Sequence, residues 1–259
     1  MRYDLVIAPM EWSYSRLTAY EDCPYAWLQK YVFGVEGESK FFAEYGSFMH
    51  SILQLYLTGK LKKEQLTTYY LTHFLSQVSA KAPTSKIHSS YFEQGRQYLK
   101  VLSFPQRNIL RVEDKMKFNF AGYPFVGIVD VVSEDENGKL YITDHKSRAL
   151  KERSNRKKPT QSDIELDKYL RQLYIYAYAV EKSIGRFPDY LEFNCFRTQT
   201  WICEPFQYER LIEVEAWAKQ LIETIIQTAR WPANLDLWFC KYLCDCSGEC
   251  EYTSLLETR

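Results

Sequence analysis

Two stretches of this chain pair acidic and basic side chains at spacings that can do chemistry. One reads Gly127-Ile128-Val129-Asp130-Val131-Val132 and the other Leu140-Tyr141-Ile142-Thr143-Asp144-His145-Lys146-Ser147, with the turn-forming pair Asn137-Gly138 between them. A hairpin folded about that turn brings Asp130 and Asp144 together at its open end. They are directly opposed if the loop holds three residues; if it holds two they are offset by one and favour opposite faces unless a bulge intervenes. Two carboxylates so placed repel, and a hard cation relieves the repulsion; Mg²⁺ or Mn²⁺ suits such oxygen ligands. Lys146 lies two residues past Asp144 and shares its face of the strand. A carboxylate beside an ammonium can hold a metal-bound water and polarise it for attack on a phosphodiester. Asp-x-Lys triplets also occur by chance at solvated strand ends, so the weight of this reading rests on its neighbours.

The seven cysteines are Cys23, Cys195, Cys203 and a crowd of four, Cys240, Cys244, Cys246 and Cys250, within eleven residues. In an intracellular protein such crowding points to a metal or cluster site before disulfides, and four of the five outer thiols would serve a tetrahedral zinc. Cys195 and Cys203 fall on expected strands and are read as small core residues. After the lysine come Arg148, Lys151, Arg153, Arg156, Lys157 and Lys158, with Glu152 the one acid among them. This segment is placed to meet nucleic-acid phosphates or is a solvated loop. The 21 Tyr, 15 Phe and 6 Trp are mostly core, with room among them for platforms on which single strands stack.

These groups need a scaffold, and 259 residues with 46% hydrophobic content can bury a core without disulfides. Helical periodicity runs through residues 15–31, with Ser15 as N-cap and Pro24 opening a fresh turn, then 41–57, 64–78 and 89–102. Strand patterns follow at 109–120, 125–133 and 140–145, a helix at 166–183, strands at 190–196 and 201–206, and a last helix at 209–229. The expectation is an α/β or α+β unit over 1–259: a helical part at about 41–105, a mixed catalytic sheet flanked by helices over 106–206, and a C-terminal helix with the cysteines over 207–259. Lys+Arg and Asp+Glu balance at 33 each, so a nucleic-acid partner must be met by local clustering. The sequence shows no leader-like or membrane-length apolar run, and a soluble cytoplasmic protein is expected. It also lacks a Gly-x-x-x-x-Gly-Lys-Ser/Thr phosphate loop, so any unwinding of DNA needs a partner protein.

The set Gly46-Ser47-Phe48-Met49-His50, Gly127-Ile128-Val129-Asp130, Asp144-His145-Lys146-Ser147 and Gln172-Leu173-Tyr174-Ile175-Tyr176 resembles the ordered motifs of the RecB-like branch of the PD-(D/E)XK nucleases. Ser13-Tyr14-Ser15-Arg16-Leu17 and Cys23-Pro24 resemble that family's opening segment, so the likeness runs from about Ser13 to Cys250. The resemblance implies a restriction-endonuclease-like core and a metal-dependent DNA nuclease, exonuclease in character, acting on single strands or free ends. His50, Asp130, Asp144 and the His145 carbonyl would ligate Mg²⁺ or Mn²⁺, and Lys146 would serve the nucleophilic water. Gln172 and Tyr176, four apart on one helix face, would contact phosphate or orient these groups; Tyr174 and Tyr178 are read as core. Gly46 is expected to let its helix approach the sheet closely.

In the iron-sulfur members of the family, which include the AddB nuclease and the CRISPR-associated spacer-acquisition nucleases, one cysteine precedes the motifs and three follow. Cys23 and the tail match that plan and imply a 4Fe-4S cluster, with zinc as the alternative. The tail departs from the family spacing, because Cys240 sits one residue too far upstream of Cys244 and Cys246 is additional. DNA repair, recombination, phage and CRISPR-related processing, with a helicase or recombination partner, are compatible settings. A non-catalytic DNA-binding or scaffold subunit is the alternative.

Overall fold

The computed structural model describes residues 3–253; of the unit expected over 1–259, residues 1–2 and 254–259 lie outside the described residues. Its helices are α1 (Asp4–Ile7), α2 (Tyr14–Asp22), α3 (Pro24–Tyr31), α4 (Phe41–Leu57), α5 (Lys63–Gln77), α6 (Ser85–Val101), α7 (Gln161–Ile184), α8 (Tyr208–Gln227) and α9 (Leu237–Tyr242). Its strands are β1 (Asn108–Phe120), β2 (Tyr123–Glu134), β3 (Leu140–Lys146), β4 (Tyr190–Cys195) and β5 (Thr200–Pro205). They form one mixed sheet in the order β1-β2-β3-β4-β5. Neighbours are antiparallel except β3 and β4, which run parallel and are joined by α7 as the crossover helix.

Turn chemistry fixes the register at the sheet's centre. Ala121 and Gly122 both take left-handed backbone, with φ of 55° and 85°, as a two-residue hairpin turn demands, and they pair Phe120 with Tyr123. The second hairpin closes with the Asp135 N–H donating to the Lys139 carbonyl, leaving three residues in the loop, and it pairs Val131 with Thr143. One step further along this register, Asp130 stands across from Asp144.

Caps place several helix starts. Thr160 accepts from the Asp163 N–H at 3.3 Å while Asp163 accepts from the Thr160 N–H at 2.6 Å, so α7 begins five residues ahead of the apolar pattern that marked it in the sequence. The N-cap of α2 is Ser13, whose hydroxyl accepts from the Arg16 N–H at 3.1 Å, and Ser15 lies inside the helix instead of capping it.

Buried side chains gather in two cores. One lies between the sheet and the α2, α3, α7 and α8 helices and includes Trp27, Val129, Ile142, Leu173 and Ile222. The other, aromatic-rich, packs α4, α5 and α6 around Phe48, Tyr70 and Phe74 and is met by Phe196 just past β4. Among the described residues no helix is long and apolar enough to cross a membrane.

Two glycines behave oppositely. A Cβ on Gly127 would lie 2.6 Å from Tyr176 Cε1, so the ring of α7 rests on bare β2 backbone. A Cβ on Gly46 would meet nothing within 4 Å, which overturns the expectation that Gly46 serves close packing of its helix on the sheet. Gly127→Ala should therefore destabilise by about 1–3 kcal/mol through overpacking, whereas Gly46→Ala should leave stability unchanged or raise it by up to ~1 kcal/mol. Thermal melts of both variants check this, and equal melting temperatures would contradict it.

Candidate active site and cysteine centre

The open end of the β2–β3 hairpin collects the groups singled out in the sequence. Asp130 and Asp144 are buried, at 6% and 2% exposure. The His145 N–H donates to Asp130 Oδ2 at 2.7 Å and so locks that carboxylate to the neighbouring strand. From α4, His50 reaches in and donates through Nε2 to the His145 carbonyl at 2.8 Å, with Nδ1 3.5 Å from Asp130 Oδ2.

A further carboxylate completes this set. Glu113 of β1 lies 3.4 Å from His50 Nδ1, and ligand atoms of His50, Glu113 and Asp130 all fall within 4.8 Å of one another. Glu113 was not among the residues expected from the sequence. The Ala121-Gly122 turn is the signal that finds it, since the register it fixes pairs Val112 with Val131 and Asp114 with Val129, leaving Glu113 opposite Asp130. Its φ of 50° lies in the left-handed region, an unfavourable conformation for a glutamate that the surrounding pairing imposes.

On the other side of Asp144, Lys146 Nζ sits 2.7 Å from Asp144 Oδ2 and donates to Gln172 Oε1 at 2.7 Å. Gln172 in turn donates to the Tyr176 hydroxyl at 3.0 Å. α7 thus holds the ammonium from behind. The buried Asp144 Oδ2 has the Lys146 ammonium as its cationic neighbour.

Electrostatics at the site follow from this crowding. Burial, then the charge of Asp144, holds the Asp130 carboxyl well above the usual carboxylate range, against the opposing pull of His50. Burial works to depress His50, but the Glu113 contact and the charges of Asp130 and Asp144 overcome it and push the imidazole up to about 9. The positive charge the carboxylates need is thus carried here by a doubly protonated ring. The His145 ring packs edge-on to the His50 ring with centroids 5.6 Å apart, its Nδ1 lies 3.2 Å from the Asn194 amide nitrogen and burial keeps it neutral, while its carbonyl is the group that meets His50 Nε2.

Of the basic segment, Lys151, Arg156, Lys157 and Lys158 are exposed. Arg153 is not available to phosphates: it turns back onto Asp167 at 2.7 Å and Glu204 at 2.9 Å and serves an internal ion-pair network. Arg148 is paired with Glu165 at 2.7 Å. Tyr174 is buried as expected, and Tyr178 packs against Phe118 and Phe120.

Cys23, Cys240, Cys244, Cys246 and Cys250 line one small cavity where α3 meets the chain's end. Cys23 Sγ accepts from the Ala26 N–H at 3.4 Å and the Asn234 N–H at 3.3 Å. Burial pushes the Cys244 thiol up to about 12 and the Cys246 thiol, also facing Asp245, up to about 11. Thiolates at these positions need a cation beside them. The cysteine turn also braces the approach to α4, because the Glu38 N–H donates to the Asp245 carbonyl at 2.8 Å and a Cβ on Gly37 would lie 2.7 Å from Asp245 Cβ. Cys195 is buried as expected; Cys203 is exposed on β5 and is not a core residue.

The family model described as the PD-(D/E)XK nuclease superfamily matches residues 11–254. Among solved structures, the chain is similar to a provisionally assigned exonuclease of Eubacterium rectale, with a TM-score of 0.50 at 14% identity over 95% of this chain and 90% of the other. It is also similar to SSO0001, with a TM-score of 0.33 at 18% identity over 80% of this chain and 96% of the other. No curated protein sequence matches the chain.

Cation uptake should release protons, since His50 must lose its proton to coordinate. Affinity for Mn²⁺ is expected to rise as pH climbs toward 9 and to level off above it. Calorimetry at pH 7 in two buffers of different ionisation enthalpy should report release of at least about one proton, from His50 and in part from the raised Asp130 carboxyl; identical heats in both buffers would count against this arrangement.

Proposed function

The chain belongs to the PD-(D/E)XK nuclease superfamily, and on that premise we propose that it is a divalent-cation-dependent deoxyribonuclease working from a free DNA end. The observation that carries the reading is the His50, Glu113 and Asp130 group, whose ligand atoms lie within 4.8 Å of one another beside the buried Asp144 and its Lys146 partner. That donor set fits Mg²⁺ or Mn²⁺, with His50, Glu113, Asp130, Asp144 and the His145 carbonyl as the ligands. Bound there, the cation supplies Lewis acidity and lowers the pKa of a coordinated water.

The remaining steps belong to the chain's own groups. Lys146, fixed between Asp144 and Gln172, orients the attacking water and neutralises charge gathering on the phosphate. Tyr176, seated on Gly127 and bonded to Gln172, keeps the lysine's partner in place. Exposed Lys151, Arg156, Lys157 and Lys158 would hold neighbouring phosphates, and this grip would weaken with salt. Exonuclease character draws on the motif resemblance and on the similar Eubacterium rectale protein. Unwinding, where needed, falls to a partner helicase.

We assign a 4Fe-4S cluster to Cys23 and three of Cys240, Cys244, Cys246 and Cys250. The five thiols around one cavity and the two amide donors on Cys23 Sγ support a thiolate-bound centre. The iron-sulfur choice over zinc follows the family plan of one cysteine before the motifs and three after.

With Mg²⁺ or Mn²⁺ the protein should degrade end-labelled DNA, and Asp144→Ala, Lys146→Ala and Glu113→Gln should each lower the rate by roughly 100-fold or more. Unchanged cleavage by the Asp144 and Lys146 variants would remove the assigned site. Anaerobically purified protein is expected to be brown, to contain iron and sulfide, and to lose both in Cys23→Ser; a colourless protein holding zinc would overturn the cluster assignment.

A further inference from the structure

A cavity of about 550 Å³ beside the Asp144–Lys146 centre lies between α2 and α7 and is untouched by the chemistry above. Its size is within the range that encloses a drug-sized ligand, and so a nucleoside. Tyr14 and Tyr169 are both half-buried and both line it. The Tyr169 ring centre is 5.5 Å from Lys146 Nζ, which sets the cavity directly beside the reactive ammonium. The Tyr14 hydroxyl donates to the Lys168 carbonyl at 2.9 Å and pins α2 to α7 across the cavity.

Charge in the cavity is cancelled. Arg148 is paired with Glu165 at 2.7 Å, Arg171 with Glu21 at 3.6 Å, and Lys168 acts on Asp22. A phosphate entering here would meet three carboxylates for three cations and gain little. A neutral heterocycle would meet the phenol rings of Tyr14 and Tyr169, the second with the Arg148 guanidinium 5.8 Å from its centre and able to move aside or stack on the far side of the base, and the polar side chains of Thr18 and Gln161. On the α4 side, a separate cleft lined by Gly46, Ser47, His50 and Glu113 adjoins the same carboxylates, and the bare Gly46 leaves it open for the continuing chain of a substrate.

Resting on the nuclease reading, we propose that the cavity between α2 and α7 receives the terminal nucleobase of a single nucleic-acid strand, stacked on Tyr169, with the adjoining phosphodiester at the Asp144–Lys146 centre. The substrate class is then a strand with an unpaired or frayed end. Tyr169 is then a specificity-determining residue: its ring recognises any base and no particular sequence.

Single-stranded oligonucleotides carrying 2-aminopurine at the terminal or at an internal position test this, with Ca²⁺ replacing the catalytic cation during binding. Terminal 2-aminopurine fluorescence should fall on binding to the unaltered protein and to Tyr169→Phe, and should stay bright with Tyr169→Ala. Tyr169→Leu, which keeps bulk without the π face, should behave as Tyr169→Ala and guards against loss of folding, which thermal melts monitor. With Mg²⁺ restored, Tyr169→Ala and Tyr169→Leu should raise KM for single strands roughly ten-fold and change kcat less than about two-fold. Equal quenching in the unaltered protein and both non-aromatic variants, or quenching only at internal positions, overturns the assignment and leaves the nuclease reading standing. Absence of cleavage of any DNA by the unaltered protein overturns the nuclease reading itself and this assignment with it.

Discussion

Repulsion among Glu113, Asp130 and Asp144 is the constraint around which the molecule is organised. Three carboxylates share one end of a sheet, two of them buried, and burial with the charges of Asp144 and Glu113 holds the Asp130 carboxyl up. Two hairpins impose the crowding: Ala121-Gly122 sets Glu113 against Asp130, and the loop closed by Asp135 and Lys139 sets Asp130 against Asp144. The relief comes from outside the sheet. His50 arrives on α4, Lys146 continues β3, and the His145 amide anchors Asp130.

Everything else holds those relieving groups at their stations. The crossover helix α7 fixes Lys146 through Gln172, and its own height over the sheet is set by Tyr176 lying on Gly127. The cysteine turn fixes α4 less directly, through the backbone bond from Glu38 to Asp245 and the tight fit of Gly37 against the same residue. The carboxylate group and the cysteine group, which share no residue, are therefore connected by the short segment between α3 and α4.

Much of this was legible from residue types alone, and the exceptions have physical reasons. Strand and helix periods located the sheet and the main helices to within a few residues, because each element buries one face. The start of α7 was missed because a capping box of Thr160 and Asp163, not an apolar residue, sets it. Glu113 was missed because a carboxylate in a strand has no local mark; only the register from a two-residue turn gives it a partner. Gly46 was misjudged because a glycine that admits a neighbouring helix and one that opens a cleft look alike until the space around them is known. Arg153 illustrates the limit of charge runs, since its partners Asp167 and Glu204 lie on α7 and β5, remote in sequence from the run. Cys203 shows the same for burial, as a strand's two faces differ and β5 turns this thiol outward.

The gathering of Cys23 with thiols from the far end of the chain has a consequence for biosynthesis. More than two hundred residues, the whole five-stranded sheet among them, separate Cys23 from Cys240 and must be synthesised before these thiols can meet. Until then the Cys23 sulfur must be kept reduced and the α3 surface left without its cover. A metal held by these thiols would therefore be loaded only once the sheet lay outside the ribosome, and a shortage of it would strike chains whose sheet was already made.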